Sequence, residues 1–308
     1  MVFGFGLLAG ILVSSSPTVR QWWKQVFAEP PAPAVARPVA SAPHRSARRS
    51  RPAEPVAKAI ESPAPRHVLP PSTAPGTVRL ALVIDDLGRS LTDLTTLHAL
   101  GIPVTYAVLP YESQTGAVAA ALHRSGDEVL CHLPMEPKSG GNPGPGALRL
   151  GMSDEELRAA TVRALEAVPG AVGVNNHMGS FLSASKPAMA TILGVLASRR
   201  LFFLDSRTSA QSVGFRVATS LGVPAAERQV FLDDDLASAA VRAQFEHLLE
   251  LGRERGEAIA IGHPHPDTLS VLAEEVPRAR ALGYQFVRVS ELLSRPAALD
   301  APRQAARN

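Results

Sequence analysis

Cysteine is almost absent from this sequence of 308 residues, in which Cys131 stands alone. A single cysteine excludes an intrachain disulfide and a zinc site built from four cysteines. The glycine-rich signature G-x-G-x-x-G is missing, and no phosphate-binding loop follows the first predicted strand. The G-x-S-x-G turn of serine hydrolases is missing as well. The sequence therefore disfavours nucleotide-dependent and serine-hydrolase chemistry.

Long apolar runs are also missing. The amino-terminal stretch MVFGFGLLAGILV, residues 1–13, is short, because a bilayer-spanning helix needs about 20 apolar residues. This stretch resembles the hydrophobic region of a signal peptide or a truncated anchor. Trp22 and Trp23 offer the alternative of an interfacial segment. We expect residues 1–28 to form an apolar signal or membrane-anchor segment, through which the chain would touch a membrane.

Net charge is only +3, and much of the basic excess lies between Arg20 and Arg66. Residues 29–76 are rich in proline, alanine and arginine, and they contain too little apolar surface to fold. We expect a disordered linker there, with an arginine cluster at 44–51 that is solvated, and no nucleic-acid partner. A hydrophobic terminus followed by such a spacer favours an extracytoplasmic domain, in the periplasm or cell envelope, held near the inner membrane.

A regular alternation of apolar runs and amphipathic stretches begins at residue 77. The apolar runs predict strands over residues 80–85, 104–109, 128–132, 172–175, 201–205, 230–232, 258–262 and 286–289. The amphipathic stretches predict helices over residues 91–100, 114–125, 153–168, 186–199, 212–221, 236–255 and 268–281. This alternation predicts an α/β domain over residues 77–295, with parallel strands and right-handed crossovers, and a disordered tail over 296–308. A (β/α) barrel is the leading fold, and a doubly wound open sheet is the alternative.

The first predicted strand ends in two adjacent acids, Asp85 and Asp86, after five apolar residues. A continuous apolar run is typical of a strand buried on both faces. Successive side chains of a regular strand point to opposite faces, so both acids can reach one pocket only where the strand becomes irregular. Parallel α/β proteins place their chemistry at this end of their strands. The pair therefore indicates a functional site.

Polar side chains follow most of the other predicted strands. They are His132 and Glu136, Asn175, Asn176 and His177, Asp205 and Arg207, Asp233–Asp235, and His263 and His265. Imidazoles and a carboxylate are the usual ligands of a catalytic Zn²⁺. A second carboxylate at the same edge can act as general base and a further histidine as general acid. We interpret Asp233–Asp235 as residues that cap the helix beginning near Leu236.

Five motifs resemble the divergent branch of the polysaccharide deacetylases in their order and spacing. They are IDDLG, GDEVLCHLPMEP, GVNNHMGS, FFLDSRT and AIAIGHPHPDTL. The resemblance covers residues 78–293 and implies a distorted (β/α)7 barrel. It implies that Asp85 is the general base, that Asp86 and His132 bind a divalent metal, expected to be Zn²⁺, and that His263 is the catalytic acid.

The motifs depart from the family pattern at two places. The position of the family's second metal-binding histidine is occupied by Glu136, so the third ligand is open among His177, Glu136 and His265, with His177 preferred. The family's Arg-Pro loop is replaced by NNHMGS, residues 175–180. Substrate contacts therefore do not transfer to Asn175 and Asn176. Asp205 is a further candidate contact, and Arg207 offers a positive group in place of the lost arginine.

Two functions follow from these residues. The first is a metal-dependent hydrolase that removes acetyl groups from a cell-envelope polysaccharide or peptidoglycan-type glycan. The second is a catalytically degenerate scaffold of the same fold that binds carbohydrate or metal. Retained Asp85, Asp86, His132 and His263 favour the first, whereas Glu136 and the lost Arg-Pro loop favour the second. A metal phosphoesterase would need more cationic residues at the strand ends than Arg89 and Arg207 supply.

Overall fold

The structure is a computed structural model that describes residues 77–138 and 140–293. The predicted amino-terminal segment 1–28, the predicted linker 29–76 and the predicted tail 296–308 lie outside the described residues. Across the described part of the chain, no helix combines the length and the apolar character needed to cross a membrane.

Strands and helices alternate along the described chain. The strands are β1 Arg79–Leu87, β2 Thr105–Val108, β3 Glu128–Met135, β4 Gly173–Met178, β5 Phe202–Asp205, β6 Ala225–Glu227, β7 Val230–Phe231, β8 Glu257–Gly262 and β9 Gln285–Phe286. The α-helices are α1 Thr92–His98, α2 Thr115–Ser125, α3 Asp154–Ala167, α4 Lys186–Arg199, α5 Gly214–Ser220, α6 Ser238–Arg255 and α7 Pro266–Ala281. Short 3₁₀ turns cover Leu182–Ala184 and Val289–Leu292. The capping box expected from Ser153 and Glu156 is present at the start of α3.

All strand pairs are parallel, and the order across the sheet is β6-β5-β4-β3-β2-β1-β8-β7, with β9 beside β1. This order follows the chain without the reversal that defines a doubly wound sheet. The sheet is therefore curled in the manner of a barrel, and the predicted α/β barrel is confirmed.

One extended segment closes the curled sheet. β6 pairs with β5, and after only two residues β7 pairs with β8 at the opposite edge. Arg228 donates to the carbonyls of Ser206 and Arg207 at 2.6 and 2.9 Å. Gln229 exchanges backbone and side-chain hydrogen bonds with Ile259 at 3.0 and 2.7 Å. These two residues connect the split strand to both edges of the sheet.

Side chains of β1 are buried on both faces, as its apolar run predicts. Leu80, Leu82 and Ile84 belong to the large cluster that packs the strands against the helices. Ala81 and Val83 belong to a second cluster inside the barrel, which includes residues of most other strands. The 3₁₀ turn Val289–Leu292 contributes buried apolar side chains to this inner cluster. The end of the domain therefore closes the barrel interior on the side opposite the carboxyl ends of the strands.

Candidate metal centre and catalytic residues

An irregularity in β1 brings both adjacent acids to one pocket. The register with β2 shifts between Ile84 and Leu87, and Asp86 has a φ of 59°. A positive φ is uncommon for a residue with a side chain, and such backbone strain is often found at functional sites. The shift and the left-handed conformation cancel the alternation of a regular strand, so Asp85 and Asp86 both face His132.

Three ligand atoms meet in this pocket. Asp86 Oδ1 lies 3.2 Å from His132 Nε2 and 2.9 Å from His177 Nδ1. The two imidazole nitrogens are 3.2 Å apart. Asp86 Oδ1 is buried and accepts no well-formed hydrogen bond. Burial opposes ionisation of Asp86, but the neighbouring imidazoles outweigh it and hold the pKa of that carboxyl well below its usual range.

These donors fit a divalent metal ion. Zinc bonds of about 2.0–2.2 Å to nitrogen and oxygen require tetrahedral ligand atoms to lie about 3.3–3.5 Å apart. The observed triangle is slightly tighter, and a buried oxygen without a hydrogen bond stands at one corner. One carboxylate with two imidazoles is a donor set of catalytic zinc, with a further position left open. The structure therefore brings together Asp86, His132 and His177, the set preferred from the sequence.

Asp85 lies beside this triangle in full burial. Its Oδ2 is 3.5 Å from His132 Nε2, and its Oδ1 accepts a hydrogen bond from Asn175 Nδ2 at 2.8 Å. Burial raises the pKa of Asp85, although nearby imidazoles and the amide of Asn175 act in the opposite direction. A carboxylate with a raised pKa is suited to accept a proton near neutral pH.

His263 occupies the neighbouring strand end. Ile84 and Gly262 are register partners of β1 and β8, so Asp85 and His263 follow on adjacent strands. The His263 ring contacts Asp233 Oδ1 through Nδ1 at 2.9 Å. Burial opposes the imidazolium, but this hydrogen bond and the charges of Asp85, Asp233 and Asp86 outweigh it and raise the pKa of His263 to about 9. A protonated imidazole with a free Nε2 can act as a general acid.

His265 lies next to His263, with ring centroids 5.7 Å apart. Asp233, His263 and His265 form a second group of ligand atoms within 4.8 Å of one another. However, Asp233 already accepts hydrogen bonds from the backbone and ring of His263 and from Thr268. This group is therefore better described as a carboxylate–imidazole pair than as a metal site.

Glu136 does not join the metal triangle. Its Oε2 accepts a hydrogen bond from the backbone N–H of Leu150 at 2.7 Å. Its backbone N–H donates to the Leu148 carbonyl, and its carbonyl accepts from the N–H groups of Phe181 and Leu182. Glu136 thus organises the loop that follows β3, and the imidazole that the second motif lacks is supplied from β4 by His177.

Three other candidate substrate-contact residues bond instead to protein groups in and around the loops that follow β4 and β5. Asn176 donates to the Met178 carbonyl and accepts from the Ser206 N–H. Asp205 accepts hydrogen bonds from Arg207, Ser212 and Phe215. The Arg207 guanidinium forms an ion pair with Glu227 at 3.2 Å. These side chains shape the loops after β4 and β5.

The interpretation of Asp233 as a helix cap is wrong. α6 begins at Ser238, and the nearest of the three acids to it, Asp235, accepts a hydrogen bond from Ala237. Asp233 is directed instead to His263, where its side chain is fully buried. Its position directly after an apolar run is the sequence signal that could have identified it, but three consecutive acids made the roles indistinguishable.

A family model for divergent polysaccharide deacetylases matches residues 82–293. The match covers more than half of the chain, and the chain belongs to the divergent polysaccharide deacetylase family. The resemblance inferred from the five motifs is therefore confirmed.

Similar proteins carry few functional clues. The uncharacterised protein YibQ of Escherichia coli K12 is 38% identical over 218 residues, which are 71% of this chain and 68% of YibQ. An uncharacterised protein of Haemophilus influenzae Rd is 38% identical over 194 residues, 63% of this chain and 69% of its own. The crystal structure of the uncharacterised protein ATU2773 from Agrobacterium tumefaciens C58 matches with a TM-score of 0.65 at 28% identity, covering 72% of this chain and 92% of that one. The specific activity must therefore be argued from the site.

Proposed function

We propose that this member of the divergent polysaccharide deacetylase family is a metal-dependent hydrolase that removes acetyl groups from a cell-envelope polysaccharide. The observation that carries the proposal is the meeting of Asp86, His132 and His177 around a buried oxygen without a hydrogen bond, beside Asp85. The pocket thus contains a metal-ligand set, a separate buried carboxylate and a separate imidazole. Each can hold a different role in hydrolysis.

Asp86, His132 and His177 would hold the metal. A divalent ion bound there, expected to be Zn²⁺, supplies Lewis-acid polarisation of the acetyl carbonyl and lowers the pKa of water. The side-chain oxygen Oδ1 of Asn175 faces His132 Nδ1 at 2.9 Å, which leaves Nε2 directed towards Asp86. The residues of the chain thereby present three donors in one place before any ligand arrives.

Asp85 and His263 would divide the proton transfers. Asp85 accepts a proton from the attacking water, and the water oxygen forms a bond to the acetyl carbon. His263 donates a proton from Nε2 to the leaving nitrogen or oxygen as its bond to that carbon breaks. Asp233 holds Nδ1 on the other side of the ring, which keeps Nε2 turned away from the carboxylate. The products are acetate and the free amine or hydroxyl of the sugar.

The loops around the pocket support a glycan as the substrate. Leu91, Tyr111, Phe181 and Leu236 are exposed apolar side chains in loops that follow strands, and Met178 is exposed at the end of β4. Exposed apolar groups around a polar pocket are typical of ligand-binding surfaces. Pyranose rings present apolar faces together with polar edges, so an acetylated polysaccharide or peptidoglycan-type glycan is a suitable ligand for a polar pocket with apolar side chains at its entrance.

An extracytoplasmic location is part of the proposal. It rests on the apolar residues 1–28 and on the proline- and alanine-rich residues 29–76, which would place the folded domain away from a membrane surface. A reporter that is active only outside the cytoplasm, fused after Gly76, should be active. An inactive reporter with full expression would contradict this part of the proposal.

The activity is tested with the full-length protein. Metal content is measured by mass spectrometry, and acetate release is measured on acetylated chitooligosaccharides, peptidoglycan and O-acetylated glycans. We expect bound zinc and release from at least one of these classes. Asp85→Asn should retain zinc and lose at least about 100-fold in kcat, because it removes a general base.

The outcomes separate the two candidate functions. Bound metal with no acetate release from any class, but with tight glycan binding, would replace the hydrolase with a binding scaffold. Absence of bound metal after purification in zinc-containing buffer would overturn the ligand assignment itself.

A further inference from the structure

Asn175 lies between the metal triangle and the buried carboxylate, and both ends of its side chain are bonded. Its Oδ1 faces His132 Nδ1 at 2.9 Å. Its Nδ2 donates to Asp85 Oδ1 at 2.8 Å and makes a longer contact of 3.4 Å with Ser206 Oγ. The residue has no solvent exposure. One amide therefore contacts a candidate metal ligand and the candidate base at the same time.

The chemistry of the neighbours fixes the direction of this amide. An ionised Asp85 carboxylate can only accept hydrogen bonds, so the NH₂ group of Asn175 must face it. The amide oxygen then faces His132 and requires a proton on Nδ1 of that ring. The lone pair of His132 consequently lies on Nε2, the nitrogen directed at Asp86 and His177. Asn175 thus selects the imidazole tautomer that can bind metal.

Strand pairing sets this contact. His132 and Asn175 are direct register partners in the β3–β4 ladder. Register partners project side by side from the same face of a sheet, whereas the following residue, Asn176, projects from the other face. The backbone of two central strands therefore holds the amide in place, which is the kind of rigid support that a preorganised site requires.

We propose that Asn175 is a positioning residue that couples the metal centre to the proton-accepting carboxylate, fixing the tautomer of His132 and the position of Asp85 through one side chain. The coupling to Asp85 rests on the proposed hydrolase function. The coupling to His132 rests only on metal binding.

Two substitutions separate these roles. Asn175→Asp keeps an acceptor for His132 Nδ1–H but removes the donor to Asp85 and places a second carboxylate against it. Asn175→Ala removes both contacts. Thr161→Val is the control, because Thr161 is equally buried and loses one hydrogen bond, to the Leu157 carbonyl in α3, outside the pocket.

Zinc affinity is measured on the full-length protein by competition with a chromogenic chelator, and kcat by acetate release from the best acetylated glycan. Removal of a residue that hydrogen-bonds to a metal ligand typically weakens metal binding about 10–100-fold. We expect this loss for Asn175→Ala, a zinc Kd within about 3-fold of wild type for Asn175→Asp, and a loss of at least about 100-fold in kcat for both. The control should change neither quantity. Thermal unfolding of each variant identifies any that fail to fold.

Failure of the inference and failure of the proposed function give different results. Asn175→Ala with wild-type zinc affinity would overturn the coupling to His132. A folded Asn175→Asp that either loses zinc as Asn175→Ala does or keeps wild-type kcat would overturn the division of roles. If no glycan is deacetylated even by the wild type, the hydrolase proposal fails, while the zinc measurements still decide the role of Asn175 towards His132.

Discussion

His263 and Asp233 are joined twice, once through the His263 ring and once through its backbone. Nδ1 lies 2.9 Å from Asp233 Oδ1, and the backbone N–H donates to Oδ2 at 2.6 Å. Burial alone would lower the pKa of this histidine, but the hydrogen bond to Asp233 and the charges of Asp85, Asp233 and Asp86 raise it to about 9. The histidine is therefore protonated at neutral pH, which is the state that a proton donor needs.

Removing the charge of Asp233 should move the alkaline limit of activity. In Asp233→Asn the imidazolium keeps its burial cost and loses its main partner, so we expect the pKa of His263 to fall towards or below its ordinary value of 6.5. The pH at which kcat declines should then fall from near 9 by at least about one unit. The pH profile of kcat and an NMR titration of the His263 ring measure this shift.

Thr268→Val provides the matched control for this change. It removes a hydrogen bond of 2.9 Å to the same carboxylate without changing its charge, so the pH limit should move little. An unchanged limit in Asp233→Asn would contradict the assignment of His263 as the acid.

The same pair should make stability depend on pH. Because the folded protein raises the pKa of His263 from 6.5 to about 9, the resulting stabilisation is complete below about pH 6.5 and is lost as pH rises through about 9. Denaturant unfolding at pH 6 and pH 10 should therefore show a larger loss of stability for wild type than for Asp233→Asn. An equal loss in both proteins would show that another group carries the dependence.

Metal content should distinguish His177 from Glu136. We expect His177→Gln to lose bound zinc, because it removes one corner of the donor triangle. Glu136→Gln should retain zinc, since the new side-chain carbonyl can still accept the hydrogen bond from Leu150. Mass spectrometry of the purified variants measures both. Loss of zinc from Glu136→Gln with retention in His177→Gln would reverse the assignment.

The sequence was sufficient to predict the barrel and most of the pocket for physical reasons. Parallel strands buried on both faces leave continuous apolar runs, and polar residues at their carboxyl ends must converge at one edge. Asp86, His132 and His177 could thus be grouped before their distances were known. Two adjacent acids can share one pocket only if the strand is irregular, so an irregularity in β1 could be expected. Its position and the φ of 59° at Asp86 could not be predicted from residue types.

Other features depend on pairing that no local pattern encodes. β6 is three residues long and carries too few apolar residues to resemble a strand, so only its pairing with β5 reveals it. Asp233 differs from Asp234 and Asp235 solely in its burial and in its contact with His263. Arg207 was a reasonable cationic candidate, but Glu227 lies opposite it on the adjacent strand. In each case the role of the residue or strand depends on a contact with a part of the chain that is distant in sequence, and the local residue pattern does not identify that contact.

The closed end of the barrel should depend on Glu128. This buried carboxylate accepts hydrogen bonds from Thr105 Oγ1 at 2.9 Å and from the backbone N–H of Ser290 at 3.2 Å. Glu128→Ala leaves both donors buried or poorly solvated, and we expect a loss of about 2–4 kcal/mol in unfolding free energy, with faster hydrogen exchange in Val289–Leu292. Glu128→Gln keeps an acceptor and should lose less. Equal exchange in Glu128→Ala and wild type would show that apolar packing alone holds this turn.

The split strand should depend on Gln229, whose side chain takes the place of a backbone ladder where β6 and β7 separate. Its Oε1 accepts from the Ile259 N–H at 2.7 Å, and its Nε2 donates to the Glu227 carbonyl at 2.6 Å. Gln229→Ala leaves the Ile259 N–H without its partner where β6 and β7 separate, so we expect about 1–3 kcal/mol less unfolding free energy.

Gln244→Ala, on the exposed face of α6, is the control and should change the unfolding free energy by less than about 0.5 kcal/mol. Denaturant unfolding measures both changes. The zinc content of Gln229→Ala should be unaltered, because Gln229 contacts none of the three candidate metal ligands. A neutral Gln229→Ala would mean that Arg228, through its bonds to Ser206 and Arg207, closes the barrel without it.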